Sequence, residues 1–242
     1  MTSTQFMRTT FFALSLLLIG CAERLQQPAK LVAPYPDVQL WAVAPFNNES
    51  GTSIVQTDRV ADMFVQQLQD VHGINALPVN RVIAAMRDLD LSAVNSPGDA
   101  RSLLNVLGVD GLVIGTVTAY DPYRPMTFGA AIELHTADRS SLGGGLDTRS
   151  LTRSSGGTIA PGGMGPRNPV AQAAGIFDAS SHETLAHLQQ YATGRSVPDS
   201  AYGSDIYLVR MDMYMQFVSY RLLSDLFQSE WGRLSPIVQE SP

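Results

Sequence analysis

Residues 38–46, VQLWAVAPF, form a nearly unbroken apolar run of strand length. A strand that is apolar on both of its alternating faces has to be covered on both, and a sheet flanked by helices provides that cover. The residues that follow meet this demand. Turn formers at 45–51 end the run, and residues 53–56 have capping-box spacing. Val60, Met63, Phe64, Gln67, Leu68 and Val71 then recur at three- and four-residue intervals up to Gly73, the stripe of an amphipathic helix. A strand followed by such a helix is half of a βαβ unit.

The pattern continues along the chain. Residues 74–79 read as a short second strand, and Asn80 precedes a brief helix with Val82, Ile83, Met86 and Leu89 inward. Ser96-Pro97-Gly98-Asp99 opens another helix, with Ser as cap, Pro at the first helical position and Asp near the positive helix end; it stops at Leu107-Gly108. Residues 109–119 form a third strand, which the turn Asp121-Pro122-Tyr123-Arg124-Pro125 sends back. From Met126 the alternation is strict: Met126, Phe128, Ala130, Ile132 and Leu134 lie on one side, with Glu133 and His135 on a wetter one, as in an antiparallel strand. Residues 137–168 are rich in Gly, Ser and Thr and carry no core pattern, so they read as a flexible insertion. Residues 170–177 return to strand composition, and Ser180 to Glu183 is a second capping box for a helix reaching Gly194. Residues 204–234 are the longest stretch with helical periodicity. The expected fold class is therefore α/β: a mixed sheet with amphipathic helices packed on it, a long Gly/Ser-rich insertion and a long C-terminal helix.

The N-terminal residues set the compartment. One positive charge, Arg8, precedes an apolar run at 11–19, the layout of a secretory signal. The run is shorter than the about 20 residues a membrane span requires. It ends in Leu18-Ile19-Gly20-Cys21, which resembles the lipobox of bacterial lipoproteins. That resemblance implies cleavage before Cys21, lipid attachment on Cys21 and, from Ala22 after it, an outer-membrane position facing the periplasm. Cys21 is the chain's one cysteine, so no intramolecular disulfide is possible. Residues 22–36 are polar and hold Pro28, Pro34 and Pro36, a tether reaching about 45 Å if extended. The expected organisation is a signal peptide at 1–20, lipidated Cys and flexible tether at 21–37, an α/β domain at 38–203, the helix at 204–234 and a tail at 235–242. With 16 basic and 22 acidic residues the formal charge is −6, which argues against nonspecific nucleic-acid binding.

Two passages carry a further resemblance: Trp41-Ala42-Val43-Ala44-Pro45-Phe46-Asn47-Asn48 before a helix, and Leu107-Gly108-Val109-Asp110-Gly111-Leu112-Val113-Ile114-Gly115-Thr116-Val117, where a helix runs into a strand. Together they resemble envelope proteins typified by the TolB amino-terminal domain, the curli-secretion lipoprotein CsgG and the synthase activator LpoB. The resemblance covers roughly residues 38–178 without the insertion. It implies an anticodon-binding-like α/β domain and a non-enzymatic binding or assembly role in the envelope, through a protein partner, self-association or peptidoglycan; the alternatives are an oligomeric structural component of a secretion or surface complex, as in CsgG, and, less favoured, a cell-wall hydrolase. CsgG-type pores need hairpins of about 9 to 11 alternating residues per strand. Residues 137–168 are too rich in glycine to supply them, so an accessory role like that of LpoB fits better than a channel.

No residue pattern specifies catalysis. His182-Glu183-Thr184-Leu185-Ala186-His187 is not a zinc HExxH, because histidines five apart lie on different sides of a helix. Gly143-Gly144-Gly145 lacks the Lys-Ser or Lys-Thr of a phosphate loop, and no G-x-S-x-G elbow occurs. The expectation is no enzyme, no cofactor and no metal. Binding candidates are Asn47 and Asn48 after the first strand, Tyr120, Tyr123 and Arg124 at the hairpin turn, and Leu223, Phe227 and Trp231 on the C-terminal helix. The insertion, with Arg139, Arg149, Arg153 and Arg167 against Asp138 and Asp147, is a further candidate for an anionic wall polymer or an acidic partner.

Overall fold

The structure, a computed structural model, describes residues 28–137, 169–196 and 201–234. Cys21, the signal segment, the arginines of the insertion and the C-terminal tail lie outside the described residues. The strands are β1 (Gln39–Val43), β2 (Asn47–Asn48), β3 (Ile74–Ala76), β4 (Gly111–Asp121), β5 (Thr127–Thr136) and β6 (Ala171–Asp178). The helices are α1 (Thr57–Gln69), α2 (Val79–Asp88), α3 (Pro97–Leu107), α4 (His182–Ala192) and α5 (Met211–Leu234), with a 3-10 turn at Gly203–Leu208.

The described strands form one mixed sheet in the order β3-β1-β4-β5-β6, with β2 paired to β4. β1 runs parallel to β3 and β4, whereas β5 runs antiparallel to both β4 and β6. The chain is α/β, as its periodicity requires, and the two faces of β1 explain why. Trp41 and Val43 point into a core made with α1, α4 and α5, while Ala42 and Ala44 point into a second core made with α2 and α3. The alternating residues Met126 to Leu134 all face the first core, each at most 1% exposed. Close packing limits what the strands can carry: a Cβ at Gly115 would lie 2.2 Å from the Phe46 ring, so only glycine fits there.

Local chemistry accounts for several boundaries. At α3 the Ser96 hydroxyl accepts from the Asp99 N–H and the Asp99 carboxylate accepts from the Ser96 N–H, while Gly108 closes the helix in the left-handed region at φ 63°. The other two expected boxes do not form. Gln56 caps α1 without a side-chain bond, and Ser180 instead donates to Asp178, leaving Ser181 at the start of α4. The second strand is shorter than expected, because Val79 already belongs to α2. The long helix begins at Met211 rather than 204, preceded by the tighter 3-10 turn.

Residues 29–35, expected in an extended tether, lie against the body. Val32 bridges His72, the Ala33 N–H donates to His72 O at 3.0 Å, and the His72 N–H donates to Leu31 O at 2.9 Å. Ala33 is buried. Arg195 Nη2 donates to Ala29 O at 2.6 Å, and the Tyr35 hydroxyl donates to Glu230 Oε2 at 2.9 Å. The backbone of this segment finds its partners on the folded domain, which an unattached tether would leave to water.

Candidate functional site

The carboxyl end of β4 is where the fold gathers charged and aromatic groups. Strand β4 delivers Tyr120, the start of α1 brings Gln56, Arg59 and Val60, and the start of α5 brings Arg210, Met211, Asp212 and Met215. With Ile54 they line an open groove of about 410 Å³. Both helices begin here because α1 and α5 pack side by side: Gln216 Nε2 donates to Gln66 Oε1 at 3.4 Å and approaches Met63.

Three of the lining groups are charged. Arg210 forms a forked pair with Asp212, Nε to Oδ1 at 3.1 Å and Nη2 to Oδ2. Arg59 Nη2 stands 3.8 Å from the same Oδ2. Burial pushes the Asp212 carboxyl up, but the bonds and charge of Arg210 and the Met213 N–H outweigh it and hold the pKa below the ordinary aspartate range. Arg210 is correspondingly held as a cation by Asp212. Partial burial raises the Tyr120 phenol, with the Arg59 charge pulling it down, so the hydroxyl remains a neutral donor. Its ring sits edge-on to Phe128 at 6.2 Å.

A second depression of about 340 Å³ adjoins it through Val209 and Arg210, lined by Arg124, Tyr202, Asp205, Leu208 and Val209. The hairpin turn from Tyr120 to Arg124 presents Tyr123, 77% exposed, with its N–H held by Asp121 Oδ1 at 3.0 Å. Arg124 precedes a cis Pro125. Tyr120, Tyr123 and Arg124 therefore share one end of the molecule with Tyr202, Arg59 and Arg210. Tyrosine and arginine are the residue types that protein interfaces favour.

The other candidates separate from this end. Asn48 is occupied by its own turn: Nδ2 donates to Thr52 O at 2.7 Å, and Oδ1 accepts from the Ser50 N–H and hydroxyl. Its neighbour Asn47 pairs with Thr116 and lines a different cleft of about 290 Å³ with Phe46, Thr57 and Arg87. Leu223 and Phe227 are not available to a partner, being 0% and 3% exposed, with the Phe227 ring 5.6 Å from that of Trp41. The face of α5 expected to meet a partner is thus covered at Leu223 and Phe227 by this chain's own core. Trp231, 49% exposed, is at the far end of α5 from the groove. His182 and His187 join no metal-holding cluster among the described residues.

Arg59, Ile54 and Tyr202 do not stand out in the sequence. Arg210-x-Asp212 at a helix start is a local signal for the forked pair, whereas the approach of Arg59 to Asp212 bridges distant segments and has none.

No protein-family model and no curated protein matches the chain. Solved structures with a similar arrangement include the LpoB C-terminal domain from Salmonella enterica, 12% identical with a TM-score of 0.35, covering 43% of this chain and 75% of that one. Lipoprotein GNA1162 from Neisseria meningitidis is 14% identical with a TM-score of 0.37, covering 67% of this chain and 99% of that one. Two structures of the PelC dodecamer from Paraburkholderia phytofirmans are 12% and 10% identical with TM-scores of 0.27 and 0.26, each covering 46% of this chain and 67% and 66% of that one. At TM-scores this low the likenesses carry no argument about what this chain does.

Proposed function

We propose that this chain is a lipid-anchored binding or assembly factor of the bacterial envelope, without catalysis of its own, attached to the outer membrane through Cys21 and facing the periplasm. Its partner surface is the end carrying Tyr120, Tyr123 and Arg124, and an accessory role toward an envelope enzyme, like that of LpoB, is the form of this function we favour.

The observation that supports it is the docking of residues 29–35 at the opposite end of the sheet. Val32 and Ala33 bond beside His72, at the level where β1 and β3 begin. Tyr120 is near the other end of β4, roughly 30 Å away at about 3.3 Å per residue. The residues from Cys21 to Ala29 can span at most about 28 Å. A lipid on Cys21 would thus hold the docked end near the bilayer and turn the Tyr123 end outward.

Fractionation and crosslinking test the two halves. Cys21→Ser should move the folded protein into the soluble periplasmic fraction, because the described helices include none long and apolar enough to cross a membrane and the acyl chains carry attachment. Release of the wild-type protein by salt alone would sink the anchor. A photoreactive residue at Tyr123 should crosslink to an envelope partner in intact cells, and the same residue at exposed Val106 on α3 should not; equal yields would remove the assignment of this end.

A further inference from the structure

We infer that the groove between α1, α5 and the end of β4 is a receptor for one carboxylate carried beside an apolar side chain on a peptide. The inference rests on that end being the partner surface and adds the chemistry that it recognises.

Charge balance carries the argument. The groove lining holds two guanidiniums and one carboxylate. Both Asp212 oxygens are engaged by Arg210, one by Nε and one by Nη2. Arg59 reaches only the edge of that carboxylate, 3.8 Å away and outside hydrogen-bond range, with its side chain 55% exposed. The lining therefore carries a net charge of +1, and Arg59, in ion-pair but not hydrogen-bond contact with Asp212, keeps the donors of its planar fork open to solvent. A single carboxylate fits that fork in shape and charge. A dianion would press surplus negative charge against Asp212. The Tyr120 hydroxyl on the same wall supplies a neutral donor for a second ligand oxygen.

The rest of the lining selects what accompanies the carboxylate. Ile54 is 55% exposed, and with Met211, Met215 and Val60 it makes an apolar wall. Methionine adapts to a branched side chain without needing one fixed shape.

The test uses the full chain purified in detergent with methyl-13C methionine, because Met211 and Met215 report on the groove while Met86 and Met126 report on the two cores. Titration with N-acetyl-leucine should shift the Met211 and Met215 methyls saturably and leave Met86 and Met126 in place. N-acetyl-leucinamide should bind at least about tenfold more weakly, as should the free acid to Arg59→Gln, the loss expected for one charge-assisted bond. Arg59→Lys should recover part of the affinity. Asp212→Asn, which releases Arg210, should turn the preference toward inorganic phosphate. The absence of saturable shifts, equal binding of acid and amide, or tighter phosphate binding by the wild-type protein would overturn the proposal. Tyr123→Ala with Tyr202→Ala lies outside this groove, so loss of the partner with carboxylate binding intact separates a failure of the surface from a failure of the receptor.

Discussion

The Tyr35 phenol donates to Glu230 Oε2 at 2.9 Å, and the same buried carboxylate accepts from Arg233 Nε at 2.8 Å and Nη2 at 2.7 Å. Glu230 is 0% exposed, so each of these donors offsets the cost of burying its charge. The Tyr214 hydroxyl, also buried, has no hydrogen-bond partner among the described residues. Removing the two oxygens should therefore have opposite effects. Tyr35→Phe takes a donor from a buried carboxylate and should cost about 1–3 kcal/mol, whereas Tyr214→Phe removes a group that is not bonded and should be neutral or stabilising by up to about 1 kcal/mol. Urea denaturation of the two variants checks this, and equal losses would show that Tyr214 has a partner after all.

At the scale of elements, the turn after α4 is a clamp on the docked N-terminal segment. Arg195 Nη1 donates to Tyr191 O at 2.8 Å, Nη2 donates to Ala29 O, and the guanidinium lies over the rings of Tyr191 and Tyr220 at 4.3 and 4.9 Å. Without the guanidinium, residues 29–33 would keep only their backbone bridge to His72. Arg195→Ala should consequently raise hydrogen exchange at the Ala33 and His72 amides by about tenfold while leaving the amides of α1 as they were, the pattern of local rather than global opening. Unchanged protection at Ala33 would mean that burial of Ala33 and Pro34, not the arginine, holds the segment.

For the whole molecule, the first core is notable for the phenols that it removes from water. Burial raises the pKa of Tyr35, Tyr191 and Tyr214 well above the ordinary tyrosine value, with Glu230 adding to the effect at Tyr35, Tyr207 at Tyr191 and Asp178 at Tyr214. A group whose folded pKa is raised contributes stability that is intact below its unfolded pKa, about 10 for tyrosine, and declines as pH rises past it. Thermal stability should therefore fall steeply above about pH 10, and tyrosinate absorbance from the buried phenols should appear with unfolding rather than before it. Normal titration of every tyrosine in the folded protein would contradict this account.

The sequence by itself determined the class of fold and the faces of its elements. An apolar run at 38–46 had to be covered on both sides, the stripe from Val60 to Val71 is buried as spaced, and Ser96 with Asp99 closes its box, because each depends on neighbours within a few residues. The turn residues Tyr120, Tyr123 and Arg124 were also legible as residue types suited to an interface. Only the tertiary structure decided where competition between distant groups fell. The face of α5 at Leu223 and Phe227 could have met a partner, but the sheet and neighbouring helices fill that space and take both residues into the core. Residues 29–35 read as a tether from their prolines, yet His72, Arg195 and Glu230 offer them bonds from far along the chain. The groove depends on the same kind of meeting. Arg59 and Asp212 are brought together only when α1 and α5 start at one end of the sheet, and no local pattern encodes a contact across so long an interval of chain.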